Sequence, residues 1–100
     1  MPHGLKESTM QRITEVLSGH SQIDQVVLYG SRAMGNFKNG SDIDMTIKGD
    51  ALTLKDLNRI AIELDDLLLP YEIDLSLYNH IDNQALLEHI ERVGKVIYKR

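Results

Sequence analysis

The chain has 100 residues, of which 42% are hydrophobic, a net charge of −4 and no cysteine. This length predicts one domain over residues 1–100, and the missing cysteines exclude disulfides and thiolate sites. The acidic balance argues against a protein that coats nucleic acid, so we expect no direct nucleic-acid binding. No segment has the length of a membrane span or the apolar core of a signal peptide, which predicts a cytoplasmic protein that does not bind membranes.

The first half of the chain alternates between helical and extended patterns. Apolar residues at helical spacing predict a helix over Leu5–Ser18, and Gly19 ends it. A β-branched run predicts a buried strand at Gln25–Tyr29. The glycines and asparagines of Gly30–Gly40 indicate a loop. Alternation over Asp42–Lys48 predicts a strand with one buried face; the residues on its polar face are Asp42, Asp44, Thr46 and Lys48.

The second half predicts two more helices and two more strands. Thr53 is a candidate N-cap for a helix that Pro70 ends. The segment Tyr71–Tyr78 alternates as a half-buried strand, Asp82 can cap a last helix, and Lys95–Tyr98 can form a short final strand. This order predicts an α+β fold, with α/β-like character, in which helices pack on one face of a small mixed β-sheet.

Three aspartates share the predicted polar face. Asp42 and Asp44 project from the same side of their strand, about 7 Å apart along it. If the strand carrying Asp74 is its neighbour, three carboxylates converge on the helix-free side of the sheet. Carboxylates at close range repel one another, and a divalent cation resolves that conflict. Oxygen ligands favour Mg²⁺ or Mn²⁺, and two such ions clamp displacement at phosphorus.

A Gly-Ser turn precedes these aspartates. Gly30 lets the backbone approach a phosphate closely, and the N–H and hydroxyl of Ser31 can bind phosphate oxygens. Arg32 could clamp a phosphate through two hydrogen bonds. The turn therefore supplies the phosphate-binding half of a nucleotide site.

Each feature by itself has an ordinary interpretation. A Gly-Ser turn is usually only a turn, an Asp-x-Asp strand is usually a solvated face, and Arg32 would pair with a carboxylate. A calcium loop is excluded because its glycine and glutamate positions hold Ile47 and Thr53. His89 lies in the last predicted helix and is interpreted as a surface or structurally satisfied residue. The joint pattern nevertheless favours a nucleotide site.

The complete pattern resembles a known superfamily. Gly30-Ser31, ten residues, then Asp42-x-Asp44, with Asp74 on a later strand, is similar to the DNA polymerase beta nucleotidyltransferases. The segments "LYGSRAMG" and "SDIDMTI" resemble the minimal nucleotidyltransferases, or MNT family, and imply their palm fold. Met34 departs from this pattern, since many minimal members have a second basic residue at that position.

The resemblance assigns roles to the site residues. Asp42 and Asp44 would hold two Mg²⁺ (or Mn²⁺) ions with a nucleoside triphosphate. Asp74 would hold the catalytic ion and help to deprotonate the attacking hydroxyl. The residues assigned to the nucleotide are Gly30, Ser31, Arg32 and Ser41.

The resemblance also implies a function. An enzyme of this kind would move AMP from ATP to a hydroxyl, a tyrosine of a helical HEPN toxin, and so act as an antitoxin. The alternative is a non-catalytic binding module that neutralises a helical toxin by forming a complex. Pairing with a HEPN protein is the expected assembly, and a homo-oligomer is the other one.

Overall fold

The computed structural model describes residues 4–38 and 40–100. Within this part of the chain, the helices are α1 (Glu7–Ser18), α2 (Ser31–Met34), α3 (Leu54–Asp65) and α4 (Gln84–Val93). The strands are β1 (Gln25–Tyr29), β2 (Ile43–Lys48), β3 (Ile73–Leu77) and β4 (Lys95–Lys99), and a 3₁₀ turn at Tyr78–His80 follows β3. None of these helices is long and apolar enough to cross a membrane.

The strands form one mixed sheet in the order β3-β2-β1-β4. Strand β1 is antiparallel to both of its neighbours, β2 and β4. Strands β2 and β3 run parallel, which the intervening helix α3 makes possible because a parallel pair needs a crossover connection. The predicted α+β class and mixed sheet are confirmed.

One face of the sheet, here named the α1/α3 face, carries the larger apolar core. Its fully buried side chains come from both helices and from alternate positions of the central strands: Ile13, Leu17, Ile60, Leu64, Val26, Leu28, Ile43, Met45 and Ile47. The apolar stripes of the helices and the apolar positions of the alternating strands, both predicted from the sequence, pack against each other on this face. This face is therefore closed mainly by apolar packing, with polar contacts at its margin from His20 to Glu63 and from Arg12 to the Leu67 carbonyl.

Helix α4 packs on the opposite face, here named the α4 face. Ile90 forms a second buried cluster with Val27 and Tyr29 of β1, and Ile81 and Leu86 pack at its margin. The expectation that all helices lie on one face is wrong for α4. The reason is that β1 is apolar on both sides, so its alternate residues Val27 and Tyr29 also need cover.

The α4 face also explains the burial of Thr46, which was expected on an open polar face. Thr46 is fully buried on β2, opposite Val27 of β1, and its hydroxyl donates to the Ser76 carbonyl across 3.4 Å. The 3₁₀ turn at Tyr78–His80 covers the same region, and Lys48 lies 4.4 Å from the Tyr78 ring centre. The polar face of β2 is thus covered at Thr46, while Asp44 stays only half-buried.

Two helix caps were predicted, and the structure confirms one of them. Thr53 caps α3 in a reciprocal arrangement, accepting from the Asp56 N–H while its own N–H donates to the Asp56 carboxylate. The cap of α4 is Asn83, whose side chain accepts from the Leu86 N–H at 3.1 Å. Asp82 lies one residue too early for this contact.

Two helix ends and one loop differ from the prediction. Helix α1 begins at Glu7 rather than Leu5, and α2 forms inside the segment predicted as loop. Helix α3 ends at Asp65, before Pro70; the N–H groups of Leu67 and Leu68 bond three residues back, to Leu64 and Asp65, and tighten the turn that follows. Leu68 then takes a left-handed conformation, with φ of 55°, and is 88% exposed.

Candidate functional site

Asp44 and Asp74 lie side by side on the α4 face. They are register partners on the parallel strands β2 and β3, so their side chains leave the sheet in the same direction. Asp44 is half-buried and Asp74 is exposed at the surface. The structure thus brings together two of the three predicted carboxylates, at the edge of the region that α4 covers.

The electrostatics of this pair are unfavourable by themselves. Burial raises the pKa of Asp44, and the nearby charges of Asp74 and Asp42 raise it further, while His89 opposes the shift. Burial also raises the pKa of Tyr29; the neighbouring Ser76 lowers it in part, and both Asp74 and Asp44 raise it. The site therefore concentrates negative charge where the carboxylates are partly shielded from water, and this setting favours a bound cation.

Asp42 is held less firmly than the other two. It comes one residue before β2, outside the hydrogen-bonded strand, and its side chain is exposed. Across the described residues, no three histidine, aspartate or glutamate side chains lie close enough together to hold a metal ion. Metal binding by all three aspartates therefore stays a prediction. In its favour, Asp44 and Asp74 are register partners, and the charge of Asp42 lies close enough to act on Asp44.

The Gly30–Ser31 turn touches this pair. Gly30 has φ of +77°, and a Cβ at this position would collide with Oδ2 of Asp44. Ser31 begins α2, where the Met34 N–H donates to the Gly30 carbonyl at 3.1 Å. Only glycine allows both this conformation and this closeness. The turn and the carboxylates, separate in sequence, form one continuous site.

His89 of α4 completes the site, and sequence reasoning missed it. Its Nε2 accepts a hydrogen bond from the Gly30 N–H at 3.1 Å, and its ring stands edge-on to Tyr29, with centroids 6.2 Å apart. No short-range pattern joins His89 to the turn, because the contact depends on which face of the sheet α4 covers. Of the two interpretations given to it, surface residue or structurally satisfied residue, the second fits, since it is half-buried with its Nε2 bonded to Gly30.

Arg32 has a setting different from the predicted phosphate clamp. It is only 2% exposed, and its Nε and one terminal nitrogen donate to the Ser41 carbonyl at 3.1 and 2.9 Å. Its guanidinium also lies 5.1 Å from the ring centre of Phe37 and 4.8 Å from that of Tyr71. These contacts brace the loop before β2, and a phosphate contact by Arg32 stays a prediction.

Ser41 belongs to the same braced loop. Its hydroxyl oxygen accepts from the Lys38 N–H at 2.9 Å, and its own N–H donates to the Lys38 carbonyl at 3.0 Å. Its carbonyl takes the two hydrogen bonds from Arg32. Ser41 therefore shapes the loop that leads to Asp42, and its contact with a nucleotide stays a prediction.

Comparison with protein families gives one match over nearly the whole chain. The family model described as polymerase beta, nucleotidyltransferase matches residues 11–100. No curated protein is similar enough in sequence to count as a match. The matched region contains the Gly30–Ser31 turn, the three aspartates and His89.

Solved structures with a similar fold include several toxin–antitoxin complexes. A crystal structure of a toxin-antitoxin with AMP-PNP has a TM-score of 0.73 and 22% identity, over 91% of this chain and 73% of that chain. The toxin-antitoxin MntA-HepT gives 0.70 and 18%, over 95% and 74%. A complex of tri-AMPylated Shewanella oneidensis HEPN toxin with MNT antitoxin gives 0.70 and 17%, over 96% and 74%. At these identities the likeness is one of fold.

Proposed function

The chain belongs to the polymerase beta nucleotidyltransferase family, and we propose that it transfers AMP from ATP to a hydroxyl of a protein partner. The observation that carries this proposal is the register pairing of Asp44 with Asp74 beside the Gly30–Ser31 turn. Family membership gives the reaction class, nucleotidyl transfer. Support from the geometry is the contact between a glycine turn and paired carboxylates, because such a transfer relies on positioning a phosphate beside charge-neutralising groups.

The donor set supports a divalent cation of the Mg²⁺ or Mn²⁺ type. Asp44 and Asp74 would hold it, with Asp42 joining from the start of β2. The support is the donor set of carboxylate oxygens and the setting of Asp44: burial raises its pKa first, and the charges of Asp74 and Asp42, which a cation would neutralise, raise it further. Two such ions, when bound, would neutralise the triphosphate and the charge that develops during displacement at phosphorus.

The residues of the chain would orient the reactants. Gly30 leaves room for the triphosphate, and Ser31 donates to its oxygens. The acceptor hydroxyl oxygen forms a bond to the α-phosphorus, the bond from that phosphorus to the bridging oxygen breaks, and pyrophosphate leaves. The hydroxyl proton passes to a carboxylate, and we assign this role to Asp74, which is exposed at the surface and has this role by resemblance to the superfamily.

We further propose that the acceptor is a tyrosine of a helical HEPN toxin and that the chain acts as its antitoxin. The support is the similar fold of chains in the MntA-HepT complex and in the complex of the tri-AMPylated HEPN toxin.

The decisive experiment compares Asp44→Asn with Asp50→Asn, an exposed aspartate in the turn after β2. Each variant is co-expressed with a candidate helical HEPN-type partner, and label transfer from α-labelled ATP is measured. We expect a loss of at least a hundredfold for Asp44→Asn and none for Asp50→Asn, because positioning and charge neutralisation carry most of this catalysis.

A pull-down and a growth assay distinguish neutralisation of the partner by AMP transfer from neutralisation by complex formation alone. Asp44→Asn should still bind the partner, because docking does not need the carboxylate, yet it should fail to protect the cell. If it protects as well as the wild-type chain, neutralisation by complex formation is sufficient, and the enzymatic proposal for this antitoxin is wrong.

A further inference from the structure

We propose, building on the proposed function, that His89 is a positioning residue of the nucleotide site. Its imidazole reaches from α4 across the α4 face and holds the Gly30–Ser31 turn through the Gly30 N–H, at 3.1 Å. This bond joins the last helix of the chain to the turn that would bind the triphosphate. Neither the motif nor the family match assigns a role to this histidine.

The bond fixes how the turn meets a phosphate. Because Nε2 accepts, the ring proton lies on Nδ1, and the Gly30 N–H is already satisfied within the protein. Gly30 therefore contributes space and conformation rather than a hydrogen bond to the triphosphate. The N–H and hydroxyl of Ser31 are then the donors that the turn can offer to a phosphate. His89 sets their direction, because it fixes the orientation of the neighbouring Gly30 peptide.

The helix that carries His89 is itself held in place. Ile90, the next residue, is buried against Val27 and Tyr29 of β1. The Asn83 side chain caps the start of α4, and at its end a Cβ on Gly94 would collide with Val27, so helix and strand are in close contact. His89 also packs edge-on against Tyr29. The acceptor nitrogen is thus pre-organised, which a positioning role requires.

The same histidine links the turn to the carboxylates. The Gly30 position lies against Asp44, because a Cβ at Gly30 would collide with Oδ2 of that carboxylate. Loss of the imidazole acceptor would free the Gly30 peptide to rotate beside Asp44. We therefore expect damage to nucleotide binding rather than to the fold.

The test uses three variants of the full chain. His89→Phe keeps the ring packed on Tyr29 but removes the acceptor, and His89→Gln places an amide oxygen near the Nε2 position. His80→Phe is the matched control, at an exposed histidine of the 3₁₀ turn. Calorimetry measures the Kd for ATP with Mg²⁺, and circular dichroism measures the melting temperature. We expect the Kd to rise about tenfold in His89→Phe, as for one lost hydrogen bond. It should recover in part in His89→Gln and stay unchanged in His80→Phe.

A second readout does not depend on nucleotide at all. In the wild-type chain, NMR should detect a coupling through the hydrogen bond between the Gly30 amide nitrogen and Nε2 of His89, together with slow exchange of the Gly30 amide proton. His89→Phe should lose both signals. An absent coupling in the wild-type chain would overturn the proposal, as would unchanged ATP affinity in a folded His89→Phe.

The two proposals can fail separately. If the wild-type chain does not bind ATP with Mg²⁺ while the coupling is present, the proposed function fails and the turn-holding contact stands. If His89→Phe does not fold, the comparison of His89→Gln with the wild-type chain decides: unchanged ATP affinity together with fast exchange of the Gly30 amide proton, which means that the hydrogen bond is lost, would overturn the positioning role.

Discussion

The two faces of the sheet are built from the same strands but differ in what they bury. On β2, Ile43, Met45 and Ile47 point into the α1/α3 face and are almost completely buried. The residues between them point to the α4 face, where Asp44 is half-buried and Thr46 is covered. One face is closed by apolar contacts, whereas the other carries charge next to a small cluster. The apolar core and the candidate site are thus divided between alternate residues of a single strand.

The division has a physical reason. A site for an anionic ligand and a cation needs polar groups that are oriented but incompletely satisfied, and such groups reduce stability where they are buried. Packing them against a second, smaller helix limits that cost. The larger core on the opposite face stabilises the sheet on which the site is displayed.

The largest expected effect tests which face carries the stability. Ile60→Ala removes a fully buried side chain from the α1/α3 face, and we expect it to cost about 2–5 kcal/mol in the free energy of unfolding. Ile90→Ala, on the α4 face, should cost about 2 kcal/mol, the low end of that range, because a smaller cluster collapses more easily. Urea denaturation monitored by circular dichroism measures both. A larger cost for Ile90→Ala would reverse the comparison.

A glycine pair tests how tightly the α4 face is built. Gly30→Ala combines a left-handed backbone with a collision against Asp44, whereas Gly35→Ala has a similar positive φ and no neighbouring atom within 4 Å. We expect about 1 kcal/mol of destabilisation for Gly35→Ala, from backbone strain alone. Gly30→Ala should cost about 1–3 kcal/mol more. Equal losses in thermal melts would mean that the contact with Asp44 is loose.

Two aspartates should give pH dependences of opposite sign. Burial raises the pKa of Asp44 in the folded state, so the ionised carboxylate destabilises the fold. This cost is absent below pH 3.8, the ordinary pKa of the group, and it grows as the pH rises through the folded-state pKa. Asp44→Asn should therefore be more stable than the wild-type chain at pH 7, in buffer containing a chelator, and the difference should shrink as the pH falls towards 3.

Asp56 is the matched control for this experiment. Its pKa is lowered by the hydrogen bond from the Thr53 backbone, then by that from the Thr53 side chain. The ionised Asp56 carboxylate therefore stabilises the fold above pH 3.8, and this stabilisation is lost as the pH falls through the folded-state pKa. Asp56→Asn should then be less stable than the wild-type chain at pH 7, and equal to it at low pH. Melting temperatures across pH 3–7 that move in the same direction for both variants would contradict this assignment.

The smallest expected effect lies on the otherwise well-packed α3 side. Leu68 has φ of 55° and is almost fully exposed, so its side chain gains little from packing. Leu68→Gly should relieve the left-handed strain, offset in part by the entropy of glycine in the unfolded chain, and we expect a gain of at most about 1 kcal/mol. A rise in the urea midpoint with an unchanged slope would confirm it; a fall would show that Leu68 has a packing role.

Local signals in the sequence predicted much of this structure. The reciprocal cap of Thr53 and Asp56 is a short motif, and the phase of Asp44 and Asp74 follows from strand alternation once both strands are recognised. The side of the sheet that α4 covers could not be predicted, because an apolar stripe shows that a helix is buried but not against which face.

The contacts that depend on that choice were hidden for the same reason. The bond between His89 and Gly30 exists only because α4 lies on the aspartate side. The burial of Arg32 against the Ser41 carbonyl depends on a loop path that residue spacing does not encode. The candidate site residues were thus identifiable from sequence, whereas the residues that hold them in place were not.

The central position of β1 has a consequence for how the chain folds. Strand β1 pairs with β2 across the α2 loop, but its other edge is completed by β4, where Gln25 meets Lys99 from the far end of the chain. Bringing such distant segments together costs loop-closure entropy before any contact compensates for it. Sheet assembly should therefore begin between β1 and β2 and finish with β4, which makes the last strand a determinant of the folding rate.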